Sequence, residues 1–155
     1  MNKKIVVRAA TKEDVPIIFS LIKELAQFEK LEHQINTSEE KLKQILFGKE
    51  NFVEILIAEF DGEIAGQALF FKNFSTFLGK PGIYLEDLYV KPKLRGKEIG
   101  TALLNKIISI AKDRNYGRVE WSVLDWNKSA VDFYKNIGAI PLNDWTIFRL
   151  SSDKF

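Results

Sequence analysis

An acidic pair and a group of cations lie close together in the middle of the chain. Glu86 and Asp87 interrupt an apolar and aromatic run from Ile83 to Val90, which has the composition and about the length of a β-strand. A carboxylate at such a place can accept a proton from a reacting group or bind a cationic ligand. Because strand side chains alternate between two faces, only one of the two acids can share a face with Leu88, and alternation favours Glu86 over Asp87.

A basic loop with two glycines follows this strand and opens an amphipathic helix. Pro92 ends the strand, and apolar residues recur with a helical period from Ile99 onward. Gly96 and Gly100 allow a ligand to approach the backbone, and the unpaired N–H groups of the first helical turn point into the loop. The cations of the loop are Lys91, Lys93, Arg95 and Lys97. The stretch predicts an anion site at the helix start, and a solvated basic turn is the alternative.

This loop resembles the acyl-CoA motif of the Gcn5-related N-acetyltransferases (GNAT). The family pattern, Gln/Arg-x-x-Gly-x-Gly/Ala, falls on Arg95, Gly96, Lys97, Glu98, Ile99 and Gly100, with Glu98 where the family usually has glycine. The resemblance implies that the loop binds the pyrophosphate of acetyl-CoA. Three further stretches, residues 21–29, 84–90 and 126–139, are similar to the diamine (spermidine/spermine) and thialysine acetyltransferase branch.

The resemblance also implies roles for single residues. Glu86 corresponds to the carboxylate that takes the amine's proton, and Tyr134 to the tyrosine that protonates the leaving thiolate. Phe28, Glu29 and Glu86 correspond to substrate-binding positions, with Phe28 where diamine enzymes often have tyrosine. The cofactor contacts that it implies are Leu88, Tyr89, Val90, Arg95, Gly96, Lys97, Glu98, Ile99, Gly100, Thr101 and Asn127.

Each of these assignments has a plainer structural alternative. Tyr134 could be a core aromatic of an amphipathic helix, Asn127 a helix N-cap, and Glu29 part of a solvated acidic turn. Asp87 could face the ligand in place of Glu86. His33, the only histidine of the chain, is expected at the surface.

Composition sets the remaining limits. The 155 residues fit one domain, 1–155, and the absence of cysteine excludes disulfides and thiolate chemistry. One histidine excludes a multi-histidine metal centre, so no metal is expected. A net charge of +2 does not favour nucleic acid, and no stretch is apolar enough for a membrane span. We expect a cytoplasmic protein.

The element order predicts an α/β fold. Periodicity gives β-α-α-β-β-β-α-β-α-β, with a loop over 73–82 and a closing strand from Trp145 to Leu150. Gly66 inside a strand predicts a bulge or a close backbone approach. The resemblance implies a mixed, mostly antiparallel sheet flanked by four helices, with a V-shaped split between the parallel strands Ile83–Val90 and Arg118–Leu124. It also implies a homodimer to which the closing strand contributes.

Together these features predict an N-acetyltransferase that moves an acetyl group from acetyl-CoA to a small primary amine by direct attack. The acceptor would be a polyamine or a lysine-like amino acid. A protein-lysine or N-terminal acetyltransferase is the alternative within enzymes. A non-catalytic acyl-CoA-binding sensor is the alternative outside them.

Overall fold

The computed structural model describes residues 3–155, and the chain divides into two compact units. The first unit ends at Ser122, and the second spans Val123–Phe155. The strands are β1 (Ile5–Ala9), β2 (Val53–Phe60), β3 (Glu63–Ser75), β4 (Lys80–Val90) and β5 (Val119–Trp121). The helices are α1 (Val15–Phe28), α2 (Glu39–Phe47), α3 (Ile99–Asp113) and α4 (Lys128–Asn136). The expectation that 1–155 form one domain stays a prediction.

The five strands form one sheet in the order β1-β2-β3-β4-β5. All neighbours are antiparallel except β4 and β5, which are parallel. The predicted α/β class is confirmed, with a mixed and mostly antiparallel sheet and four helices. The parallel pair is joined through α3, as a parallel connection requires.

Side-chain bonds fix the start of α1. Arg8 on β1 donates to both carboxylate oxygens of Asp14, at 2.8 and 3.0 Å, and to Glu59 on β2 at 2.8 Å. Asp14 also accepts from the Thr11 amide and is the N-cap of α1, and Pro16 is tolerated in the first turn, where its missing N–H has no helical partner. The guanidinium of Arg8 holds the pKa of Asp14 below its usual range.

Apolar residues from both faces of the sheet form the core of the first unit. One buried cluster joins α1 and α2 to the sheet through Ile18, Leu46, Ile55, Ile57 and Leu69. Helix α3 contacts β1 to β4 but contributes no residue to this cluster, so it covers the other face. Its buried residues are Ile99, Leu103, Leu104, Ile107 and Ala111.

Both features predicted for Gly66, a β-bulge and a close backbone approach, are present in the structure. The β2–β3 register shifts beside it, pairing Ala58 with Gly66 but Glu59 with Ile64. A Cβ at Gly66 would also collide with the carbonyl oxygen of Tyr89 on β4. The glycine therefore lets β3 and β4 approach closely beside the predicted site.

Two element predictions are wrong. The loop predicted over 73–82 is mostly strand, because β3 runs to Ser75 and β4 begins at Lys80, leaving a turn of four residues. Ser75 accepts a hydrogen bond from the Leu78 amide, and this bond tightens the turn. The strand predicted over Trp145–Leu150 does not form in the described chain. Alternating apolar residues make a segment β-prone, but a strand also needs a hydrogen-bonded partner.

Candidate acetyl-transfer site

The two parallel strands separate at the acidic pair. Strand β5 pairs with β4 only over Ile83–Leu85. From Asp87 to Val90, β4 pairs with β3 alone, and β5 no longer pairs with β4 after Leu85, so the other edge of β4 has no strand partner there in the described chain. Free N–H and C=O groups on such an edge can pair with an extended ligand. The last β4–β5 pair, at Leu85, directly precedes Glu86, where chemistry was expected.

A β-bulge lies at Glu86. Leu85 pairs with Phe70, Asp87 pairs with Leu69, and Glu86 has no cross-strand partner. The extra residue reverses the alternation, so Leu85 and Asp87 lie on opposite faces of the sheet. Simple alternation from Ile83 to Val90, which put them on one face, is therefore wrong. Asp87 shares the face of α1 with Leu69, whereas Glu86 is exposed in the bulge.

Asp87 lies within the electrostatic reach of two other carboxylates. Burial raises the pKa of Asp87 to about 6, and the charges of Glu86 and Glu29 add to the shift. Burial also raises the pKa of Glu29, in the turn after α1. The structure thus brings Glu29 near the acidic pair, although Glu86 lies 57 positions further along the chain. A concentration of negative charge with raised pKa values suits the binding of a cation.

An aromatic surface with a cation on it lies next to these acids. The guanidinium carbon of Arg95 lies 4.6 Å from the ring centre of Phe28 and 5.6 Å from that of Tyr89. Arg95 Nε also donates a 3.0 Å hydrogen bond to the carbonyl oxygen of Val90. The side chain therefore folds back from the loop onto β4 and the end of α1.

The loop before α3 has the backbone of an anion cradle. Gly96 and Glu98 both have positive φ, +74° and +67°, and Glu98 is the N-cap of α3 without a side-chain cap bond. In the described chain, the N–H groups of residues 96–101 have no hydrogen-bond acceptor. Alternating left- and right-handed residues with free amides at a helix start suit a phosphate group. The residues therefore fit the diphosphate of acetyl-CoA.

The remaining predicted contacts in the first unit fall around this cradle. Leu88 and Val90 are partly buried on the unpaired part of β4, and Tyr89 is buried. Lys97 places its ammonium 5.4 Å from the ring centre of Phe60. Ile99 is buried beneath the cradle, and Gly100 and Thr101 form the first turn of α3.

The second unit carries the other two predicted residues on α4. Asn127 is the N-cap of this helix, its side chain accepting from the Ala130 amide at 3.3 Å. Tyr134 is partly buried, with its ring 5.5 Å from that of Phe133. The cap predicted as the alternative for Asn127 is therefore present, and its amide nitrogen is left for other bonds.

Sequence reasoning missed Glu24. Its carboxylate contributes, after burial, to raising the pKa of Tyr89, whereas Arg95 acts against that shift. One carboxylate oxygen is buried without a hydrogen-bond partner in the described chain. A signal existed in the sequence, because Glu24 has the helical spacing of Leu21 and Phe28 and so lies on the inward stripe of α1.

A sheet that splits beside a phosphate cradle defines the class of acyl-CoA-dependent transferases. The family model described as "Acetyltransferase (GNAT) family" matches residues 19–139, and the chain belongs to this family. It is 39% identical to the thialysine N-epsilon-acetyltransferase of Bos taurus, covering 96% of this chain and 94% of the relative. It is 31% identical to the L-ornithine N5-acetyltransferase NATA1 of Arabidopsis thaliana, with 95% and 84% covered.

The solved structures agree at the level of the fold. An integron cassette protein from the mobile metagenome of V. cholerae superposes with a TM-score of 0.79 over 97% of this chain and 94% of that one, at 24% identity. Members of the family take their acetyl group from acetyl-CoA. The protein is accordingly an N-acetyltransferase, and the predicted resemblance to the family and its thialysine branch is confirmed.

Residues 3–155 contain neither a membrane-spanning helix nor a metal-binding cluster. No helix there is both long and apolar enough to span a membrane. No group of three or more histidine, aspartate or glutamate side chains there could hold a metal ion.

Proposed function

We propose that this protein acetylates a primary amine of a small molecule that carries a second cationic group, such as a lysine-like amino acid or a polyamine. The observation that supports this most strongly is the gathering of Glu29, Glu86 and Asp87 where β4 leaves β5. The relatives named for thialysine and L-ornithine acetylation act on amino acids with a side-chain amine.

Glu86 is the proposed proton acceptor. It is the bulged residue at the start of the free edge of β4, where a cofactor arm paired with that edge would end. An attacking amine must lose its proton, and a positioned carboxylate can accept it directly or through water. Asp87, the next residue along β4, has a raised pKa and is the alternative proton acceptor. We assign Asp87 the binding of the substrate's ammonium and test the two roles separately.

The remaining steps use main-chain and phenolic groups. Acetyl-CoA supplies the acetyl group as a thioester when bound. The Leu88 N–H, on the part of β4 that lacks β5, would donate to the carbonyl oxygen as negative charge develops there. Tyr134 would give its proton to the leaving sulfur, a role that the resemblance of the 126–139 stretch to the family implies. The amides of residues 96–101 would hold the diphosphate, and Asn127 the pantetheine arm.

The experiment compares Glu86→Gln, Asp87→Asn and Tyr134→Phe with the parent protein. Release of CoA thiol is followed with thialysine, ornithine, putrescine, spermidine and a lysine peptide, and CoA affinity is measured by calorimetry. We expect Glu86→Gln and Tyr134→Phe to lower kcat about 10²- to 10⁴-fold with CoA affinity retained. Asp87→Asn should chiefly raise KM for the amine. Glu63→Gln and Tyr116→Phe are the matched controls.

Other outcomes would point to other functions. No amine-dependent thiol release with any acceptor would support a CoA-binding sensor. A lysine peptide that reacts faster than every small amine would support a protein acetyltransferase. A larger kcat loss in Asp87→Asn than in Glu86→Gln would exchange the roles of the two acids.

We also propose that the protein is a homodimer. Apolar side chains in the last part of the second unit are exposed, including Trp145 at 78% and Phe148 at 92%. Ile147 and Leu150 are exposed as well. Exposed apolar side chains that follow one another along a β-prone segment are typical of an interface. A strand from each of two copies would bury them.

A further inference from the structure

A row of polar side chains continues from the acidic pair onto β5. Tyr84 on β4 pairs with Glu120 on β5 and with Phe71 on β3, and Phe71 pairs with Val53 on β2. Val53 packs against the buried cluster of α1 and α2. Because residues directly opposite one another in a sheet share a face, Glu120 lies on the face of α1 and α2, as Asp87 does.

An ion pair lies in this row. Arg118 Nε is 3.0 Å from Glu120 Oε1, and the two side chains remain 45% and 31% exposed. The stem of Arg118 rests against Gly82 of β4, where a Cβ would lie 3.5 Å from Arg118 Cγ. Within residues 3–155, no side chain pairs with the terminal nitrogens of Arg118 or with the second oxygen of Glu120. The pair therefore has donors and an acceptor that a ligand can reach.

Two hydroxyl groups border the ion pair. Tyr84 Oη and Ser122 Oγ lie 2.9 Å apart, and Ser122 directly follows β5. A hydroxyl can both donate and accept a hydrogen bond, so these two groups can turn toward an anion or a cation. The row thus offers partners for a ligand group that carries both charges.

The spacing of the row suits a short aliphatic chain. The bulge leaves Asp87 two ladder positions from Tyr84. One strand across and two positions along place Glu120 about 8 Å from Asp87, measured between the Cα atoms. In an ornithine- or lysine-like amino acid, four or five bonds of about 1.5 Å join the side-chain amine to the α-carbon and span about 5–6 Å. The amine of such a chain can lie at Asp87 while its head group lies at the ion pair.

We infer that Arg118 and Glu120 select the acceptor by binding the α-carboxylate and the α-ammonium of an amino acid whose side-chain amine is acetylated. A guanidinium donates paired hydrogen bonds to a carboxylate, and a carboxylate accepts from an ammonium. The inference rests on the proposed amine acetylation and narrows its acceptor to an α-amino acid. It adds two specificity-determining residues to the acids that meet the reacting amine.

The ion pair discriminates against polyamines by charge. A diamine has a second ammonium where the amino acid has its zwitterionic head group, so Glu120 attracts it but Arg118 repels it. An amino acid satisfies both members of the pair at once. Exposed ion pairs contribute little to stability, so replacing either member should leave the fold intact.

Ornithine and putrescine test this inference because they differ only in the carboxylate. The ratio kcat/KM is measured for both with acetyl-CoA in the parent protein, Arg118→Gln and Arg114→Gln. At the end of α3, Arg114 forms an ion pair of similar exposure with Glu54 and is the matched control. We expect the parent and the control to prefer ornithine about tenfold, through KM. Arg118→Gln should reduce this preference to about one.

Glu120→Gln tests the other member of the pair. It should raise KM about tenfold for ornithine and putrescine alike, because both carry an ammonium on the same carbon, and it should change kcat little. Calorimetry of both amines in the presence of CoA, which carries no acetyl group, measures the same differences as affinities. Thermal denaturation checks that each variant is folded.

A parent protein that acetylates putrescine as efficiently as ornithine would overturn the inference without any variant. An unchanged preference for ornithine in Arg118→Gln would also overturn it, while the proposed amine acetylation stands. If neither these two compounds nor any other amine releases thiol from acetyl-CoA, the proposed function fails together with the inference.

Discussion

Glu98 has a backbone conformation that glycine adopts most easily. Its φ of +67° places it in the left-handed region at the N-cap of α3, at the position where the family motif usually has glycine. A Cβ in this region costs about 1–2 kcal/mol. This strained residue belongs to the proposed diphosphate cradle, so the conformation of the cradle lowers the stability of the protein.

Replacing Glu98 separates this strain from the effect of its charge. Glu98→Gly should raise the free energy of unfolding by about 0.5–1 kcal/mol, less than the strain because glycine has a more disordered unfolded state. Glu98→Gln keeps the strain and removes the charge, so it should leave stability unchanged. Urea denaturation measures the first effect and CoA calorimetry the second. If the Glu98 carboxylate repels the diphosphate of CoA, both variants should bind CoA more tightly. A Glu98→Gly protein less stable than its parent would contradict the strain.

Asp87 predicts a pH dependence of stability. Its pKa is about 6 in the folded protein against 3.8 as the reference, chiefly because of burial. Between these values the folded state holds more protons than the unfolded one, so the free energy of unfolding falls as pH rises. The parent should therefore lose about 2 kcal/mol relative to Asp87→Asn between pH 4.5 and pH 7.5.

Urea denaturation of both proteins at the two pH values measures this difference. A difference that does not change with pH would show that Asp87 has an ordinary pKa. In kinetics, KM for the amine should rise as pH falls below about 6, because a protonated Asp87 cannot pair with an ammonium.

At the residue scale, the sequence predicted the types of group at the site better than their directions. The cradle followed from two glycines at a helix start, and the N-cap Asn127 followed from local preference. The faces of Leu85 and Asp87 could not be predicted, because one bulged residue reverses alternation without any change in composition. The position of Arg95 over the rings of Phe28 and Tyr89 could not be predicted either, because it depends on contacts between α1 and the loop before α3.

At the scale of elements, Gly66 connects the sheet to the site. A Cβ there would overlap the backbone of Tyr89, which cannot move without shifting β4. Gly66→Ala should lower the free energy of unfolding by about 2–3 kcal/mol and weaken CoA binding, since the free edge of β4 would shift. Gly117→Ala is the matched control because the nearest atom that its Cβ meets is the end of the Leu78 side chain, which can rotate away, whereas the Cβ at Gly66 meets backbone. Thermal denaturation compares the stability of the two variants, and calorimetry compares their affinity for CoA. A Gly66→Ala protein as stable as Gly117→Ala would contradict the close approach.

The four helices that periodicity indicated all form, whereas the strand ends were predicted less well. Helix α2 begins after Ser38, which accepts from the Lys41 amide, and ends at Phe47. The turn after Ser75 was predicted too long because Gly79 and Pro81 are typical of loops, yet β4 begins between them at Lys80. Pro81 is tolerated because a strand position does not always need its N–H.

At the scale of the whole molecule, the exposed apolar segment predicts association. Phe148→Glu should convert the proposed dimer to a monomer, because a charge at a buried interface cannot be solvated there. Light scattering after size-exclusion chromatography measures the mass. Phe77→Glu, at an exposed phenylalanine in the turn between β3 and β4, is the control and should leave the mass unchanged. A parent protein that runs as a monomer would remove the basis of the proposal.

The free edge of β4 from Asp87 to Val90 also bears on assembly with other chains. Unpaired strand edges act as templates on which other chains add, and short or irregular edges resist this. The kink at Glu86 and the guanidinium on the Val90 carbonyl leave little straight edge to copy. The features that prepare the edge for an acyl carrier therefore also keep it from recruiting a neighbouring chain when the carrier is scarce.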